Sequence, residues 1–105
     1  MPHDEDPAPP ERLTIDLSGV YDADQLHTVL RRELRFPGWT SRTWSGFNDV
    51  IRTMVELPRE ITFTGWATLS ERLPRDSRIL RELFDDYQAA HRGEPAWECT
   101  VHYRD

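Results

Sequence analysis

Three short stretches of this chain alternate apolar with polar residues, and long helical segments separate them. Leu13, Ile15 and Leu17 alternate with Thr14 and Asp16. Ile61 and Phe63 sit between Glu60, Thr62 and Thr64. Trp97, Cys99, Val101 and Tyr103 alternate with Glu98, Thr100 and His102. A period of two marks a strand with one buried face. Connections as long as those between the stretches favour crossovers and parallel pairing. Parallel strands covered on both faces read as unbroken apolar runs, and these do not. The pattern therefore predicts a small two-layer α/β domain: a three-stranded parallel sheet with about four helices, mainly on one face.

The helical segments carry their own signals. Asp22 stands three residues before Gln25, a capping-box spacing, and Leu26, Val29, Leu30 and Leu34 follow at helical intervals. Pro37-Gly38 is the expected end of this first helix. A second helix is expected from about Ser41 or Thr43 to Val55. Trp44, Phe47, Ile51, Met54 and Val55 form its core arc, and Ser45, Asn48, Asp49 and Arg52 form a polar stripe roughly opposite. A short third helix spans Trp66 to Leu73. Asp76 or Ser77 is expected to cap a fourth, with Ile79, Leu80, Leu83, Phe84 and Tyr87 inward and the pairs Arg78/Glu82 and Arg81/Asp85 outside. Gly93 is its expected stop.

At 105 residues the chain fits one domain. Residues 1–11 hold four prolines and four acids and read as a disordered acidic tail, which leaves 12–105 as the folded unit. The start of the chain has no apolar core of a signal peptide. No apolar run approaches the roughly 20 residues of a membrane helix, so no membrane role is expected. The net charge is -6, and no basic stripe runs through the sequence, which argues against direct nucleic-acid binding. The lone Cys99 precludes an intramolecular disulfide and points to a reducing cytoplasm.

Enzyme chemistry finds little to stand on. The chain has no Gly-rich phosphate loop, no CxxC pair and no HExxH. His3, His27, His91 and His102 are scattered. Cys99 alternates with core positions and reads as an inert buried thiol. Asp85 and Asp86 are adjacent on a helix and point about 100° apart, so they make no acid/base dyad. No metal and no cofactor is expected. What remains is the Pro37-Gly38-Trp39 loop leading into the polar stripe around Asp49. A large aromatic beside an exposed carboxylate is the composition of a protein-binding patch. The plainer alternative is a Trp39 folded down on its helix beside an ordinary solvated face.

Here the sequence resembles a family. Residues Gln25 to Pro37, QLHTVLRRELRFP, are similar to the first helix of the barstar family of intracellular ribonuclease inhibitors. The similarity continues without a gap through Trp39, Phe47, Asp49, Val55-Glu56 and Pro58. The order of segments matches over about Leu13 to Tyr103. The resemblance implies a cofactor-free inhibitor, monomeric when free, that binds one-to-one to a small secreted guanyl-specific ribonuclease. In this family a carboxylate on the second helix takes the place of substrate phosphate, and Asp49 stands at that position. The resemblance places Trp39, Thr43, Trp44, Ser45, Asn48, Arg52, Thr53 and Met54 at the contact surface, and Asp86 at a peripheral charge contact. Trp44 thus has two readings, core edge and contact.

The departures from the family pattern are Ser45 for an aspartate, Asn48 for a tryptophan and Ser41-Arg42-Thr43 for a Gly-acid-Asn segment. From Pro37 to Pro58, Arg42 and Arg52 balance Asp49 and Glu56, so electrostatic steering should be weaker than in a strongly acidic inhibitor. The alternative function is an immunity or regulatory module that uses the same scaffold against a different protein.

Overall fold

The computed structural model describes residues 11–105, so the predicted tail lies outside the described residues except for Glu11. The elements run β1 (Arg12–Asp16), α1 (Ala23–Glu33), α2 (Trp44–Thr53), β2 (Glu60–Thr64), α3 (Trp66–Arg72), α4 (Pro74–Ala90) and β3 (Thr100–Tyr103). The strands form one parallel sheet in the order β1-β2-β3. The expected two-layer α/β architecture is the one observed.

Register explains the layering. Leu13 pairs with Ile61 and Ile61 with Val101, while Ile15 pairs with Phe63 and Phe63 with Tyr103. All the apolar side chains therefore share one face, and there they join Leu26, Leu30, Phe47, Ile51, Leu69, Leu80, Phe84 and Tyr87 in a single core. The opposite face carries the row Thr14–Thr62–His102, and on it Glu60 meets Arg12 at 3.2 Å and His102 at 3.3 Å. A polar row of this kind needs no helix to cover it.

Local chemistry sets the helix ends. The Asp22 carboxylate accepts from Gln25 N–H at 2.8 Å, and the Gln25 side chain accepts from Tyr21 N–H at 2.7 Å. That is the expected capping box, closed one residue further back. The first helix ends at Glu33, ahead of Pro37. Phe36 N–H donates to Arg31 C=O at 2.9 Å and Arg35 N–H to Arg32 C=O at 3.3 Å, with Arg35 left-handed at φ 60°. This is a Schellman end with arginine where glycine is favoured. Arg35 is exposed. Arg35→Gly should therefore stabilise the domain by about 0.5–1 kcal/mol, read as a higher melting temperature. A loss instead would mean that the arginine side chain holds the turn.

Four expectations need correction. The fourth helix starts at Pro74, a first-turn proline, so Asp76 lies within its first turn and does not cap it. The pairs Arg78/Glu82 and Arg81/Asp85 do not close; Arg81 instead lies over the Tyr103 ring at 4.3 Å. Trp97 is not in the third strand, which begins at Thr100. Glu94-Pro95-Ala96-Trp97 forms a turn in which Trp97 N–H donates to Glu94 C=O at 2.9 Å. Met54 is not core. The second helix ends at Thr53, Met54 turns out to solvent, and Val50 fills the inward position.

Candidate functional site

The loop before α2 is fastened to α1 at two points. Arg31 donates from Nε to Thr40 Oγ1 at 3.2 Å and from Nη2 to Gly38 C=O at 3.0 Å. Thr40 in turn donates through its hydroxyl to Pro37 C=O at 2.9 Å. Arg42 Nη1 reaches the Asp24 carboxylate at 3.0 Å and also donates to Thr28 Oγ1. Between these staples Trp39 projects outward, 74% exposed. The alternative of a Trp39 folded onto its helix is therefore excluded, and the indole stands on a turn that is held from behind.

Helix α2 begins with Thr43, whose hydroxyl accepts from Gly46 N–H at 3.0 Å. The loop lies so close to this first turn that a Cβ at Gly46 would run into Ser41 Oγ, so the glycine permits the approach. Phe47, Val50 and Ile51 point into the core. Ser45, Asp49, Arg52 and Thr53 are exposed and Asn48 is half-buried, so the polar stripe lies where it was expected. Arg52 Nε donates to Asn48 Oδ1 at 3.0 Å, and the Thr53 hydroxyl donates to Asp49 C=O at 2.7 Å.

Trp44 sits at the core edge. Its Nε1 donates to Asp76 Oδ1 at 2.9 Å, and its ring packs on His27 at 4.4 Å and Phe47 at 5.4 Å. It ties α2 to α1 and α4 while staying half-buried. His27 is buried beneath it, and desolvation lowers the imidazole pKa from its ordinary 6.5. The unfolded chain takes up a proton there before the folded one does, so this contribution to stability is lost as the pH falls below 6.5.

Asp49 lies in a cleft of about 300 Å³ lined also by Trp39, Thr40, Gly46, Val50 and Met54. Its backbone carbonyl is engaged by Thr53. Among the described residues no side chain pairs with its carboxylate, since Arg52 is turned to Asn48 and Arg42 to Asp24. The balance of charges along the sequence is thus not a balance in space, because Arg42 is neutralised by α1. A second groove of about 400 Å³ adjoins through Met54 and runs to Ala96 and Trp97. The sequence placed Trp97 in a strand and so missed it at this surface. Asp86 is exposed on α4 and lines neither cleft.

Cys99, His91 and His102 are each tied into the fold. Burial pushes the Cys99 thiol up to about 12, which keeps it protonated at neutral pH. His91 and His102 pair with Glu94 and Glu60. No group of three or more metal-ligating side chains occurs among the described residues, and no described helix is long and apolar enough to cross a membrane. What the site presents is an exposed carboxylate with no side-chain partner among the described residues, lining one cleft with an exposed indole.

Comparison with curated proteins finds no match. A family model described as Barstar (barnase inhibitor) matches residues 11–100. That span takes in the first two strands, the four helices and the stapled loop, and reaches the first residue of the third strand; with it the chain belongs to the barstar family.

Proposed function

We propose that the chain inhibits a small secreted guanyl-specific ribonuclease, one-to-one, by setting Asp49 where the substrate phosphate would lie. One observation carries this: the Asp49 carboxylate is exposed, has no side-chain partner among the described residues, and lines the same cleft as the exposed Trp39. A nuclease holds phosphate with a cluster of cationic donors, and a preplaced carboxylate satisfies the same donors in a cleft that excludes water. Thr43, Ser45, Asn48, Arg52, Thr53 and Met54 would form the surrounding contact, Trp44 would support it from its half-buried place, and Asp86 would add a charge at the edge. The natural setting is the reducing cytoplasm of the producing cell, which the inhibitor protects until the nuclease is exported.

The test is a stoichiometric titration of the protein into small guanyl-specific ribonucleases, barnase among them, following RNA cleavage. Loss of activity at one equivalent supports the proposal. Undiminished cleavage across the panel sinks it, and pull-down would then be the way to the other partner of an immunity or regulatory module. Trp39→Ala should weaken the complex by at least about tenfold, mainly through faster dissociation. Stability should change by less than about 0.5 kcal/mol, because the ring is exposed. A loss of folding in this variant would mean that the turn rests on the indole.

A further inference from the structure

We propose, on the reading of the Asp49 cleft as a nuclease-binding face, that the face continues past Met54 onto the turn after α4, with Trp97 as a second anchor that grips the rim of the same nuclease. The sequence resemblance ends its contact surface at Met54 and Asp86; Trp97 comes from a different part of the chain and is brought beside α2 only by the fold.

Three observations point the same way. The exposed large apolar side chains among the described residues are Tyr21, Trp39, Met54 and Trp97, and the last three lie along one continuous strip. Met54 lines both clefts and joins them. Trp97 is also preorganised. It is 53% exposed, yet its ring stacks on His91 at 6.0 Å and 29°, and His91 is held by Glu94 at 2.9 Å within the same turn. An indole fixed from behind and open in front loses little entropy on binding.

Size argues for the extension as well. A stable protein–protein interface covers about 800 Å² on each partner, from roughly 20–30 residues. The Asp49 cleft alone is too small a patch for that. A partner seated on Asp49 and Trp39 must spread beyond them, and the groove between Met54 and Trp97 is the adjoining apolar surface. Its walls, Met54, Val55 and Trp97, fit an apolar side chain on the nuclease rim. Arg52 and Glu56 flank it and favour polar groups on either side.

The experiment measures dissociation constants for a panel of small guanyl-specific ribonucleases, barnase among them, with the unaltered chain and with Trp97→Ala, Tyr21→Ala and Asp49→Ala. Trp97→Ala should weaken binding about tenfold or more while the domain stays folded, its melting temperature lower by about a few degrees for the lost stack on His91, and Trp97→Phe should recover most of both losses. Tyr21, an exposed aromatic away from the strip, should be replaceable without effect. If Asp49→Ala weakens binding while Trp97→Ala behaves like Tyr21→Ala, the second anchor is overturned and the Asp49 site stands. If no nuclease of the panel binds the unaltered chain, both fall. Sedimentation of the free chain covers the remaining occupant: a dimer that Trp97→Ala dissociates would assign the groove to a second copy and overturn the proposal.

Discussion

Replacing Asp49 by alanine is expected to weaken the complex with a cognate ribonuclease by at least about a hundredfold, while the melting temperature stays within a degree or two. The two halves of this expectation have separate physical grounds. Asp49 is exposed, and its carboxylate makes no intramolecular pair among the described residues, so folding loses nothing when it goes. In the complex the same carboxylate would be desolvated against cationic donors. Removing one member of a desolvated, hydrogen-bonded charge pair costs roughly 2–5 kcal/mol, part of it the penalty of leaving the partner's charges buried and unanswered. Asp85→Ala is the matched control, since Asp85 is an exposed helical carboxylate on α4. Equal affinities for the two variants would remove Asp49 from the site. A parallel loss of stability in Asp49→Ala would mean that the carboxylate serves the helix rather than a partner.

The strand pattern was legible because side-chain alternation and sheet burial are the same fact seen in one and in three dimensions. It misled at one end, where the alternation runs on through Trp97. Pro95 was the signal against a strand there: a proline one residue after Glu94 presets a turn, and that turn swings the indole out. Helical periodicity found the inward Phe47 and Ile51 but carried Met54 along with them, because a period cannot see that the helix stops at Thr53. Pro74 likewise marked the true start of the last helix and outweighed the acid at Asp76. Asp76 was free for a task that no local pattern reveals, the hydrogen bond to Trp44, 32 residues away. The candidate site was half legible for the same reason. Asp49 and Trp39 could be picked out from type and spacing. The staples from Arg31 and Arg42, and the neighbourhood of Trp97, exist only once distant segments meet.

Phe84→Ala is expected to lower stability by about 3–5 kcal/mol, which is the range for emptying a fully buried aromatic site. Phe84 has no exposed surface and sits at the middle of a row of rings. Phe36 meets Phe47 at 5.1 Å, Phe47 meets Phe84 at 6.0 Å, Phe84 meets Phe63 at 5.7 Å, and Phe63 stacks on Tyr103 at 5.9 Å. The row runs from the foot of the Trp39 loop through α2 and α4 to the centre of the sheet, so one deletion breaks it in the middle. For a domain of this size the loss corresponds to a fall in melting temperature on the order of 15–30 °C, out of a total stability of about 5–15 kcal/mol. Should the alanine variant not fold at all, Phe84→Leu offers a smaller cut with a measurable loss in denaturant midpoint. The leucine variant should also bind a cognate nuclease less tightly. Helix α2 leans on α4 through the Phe47–Phe84 contact and the Trp44–Asp76 hydrogen bond, and loosening the first lets the helix that carries Asp49 shift by a few tenths of an ångström. A loss of less than about 1 kcal/mol for the alanine variant would mean that the ring is not packed at this junction. An unaltered affinity in a destabilised leucine variant would mean that the Arg31 and Arg42 staples alone hold the binding face in place.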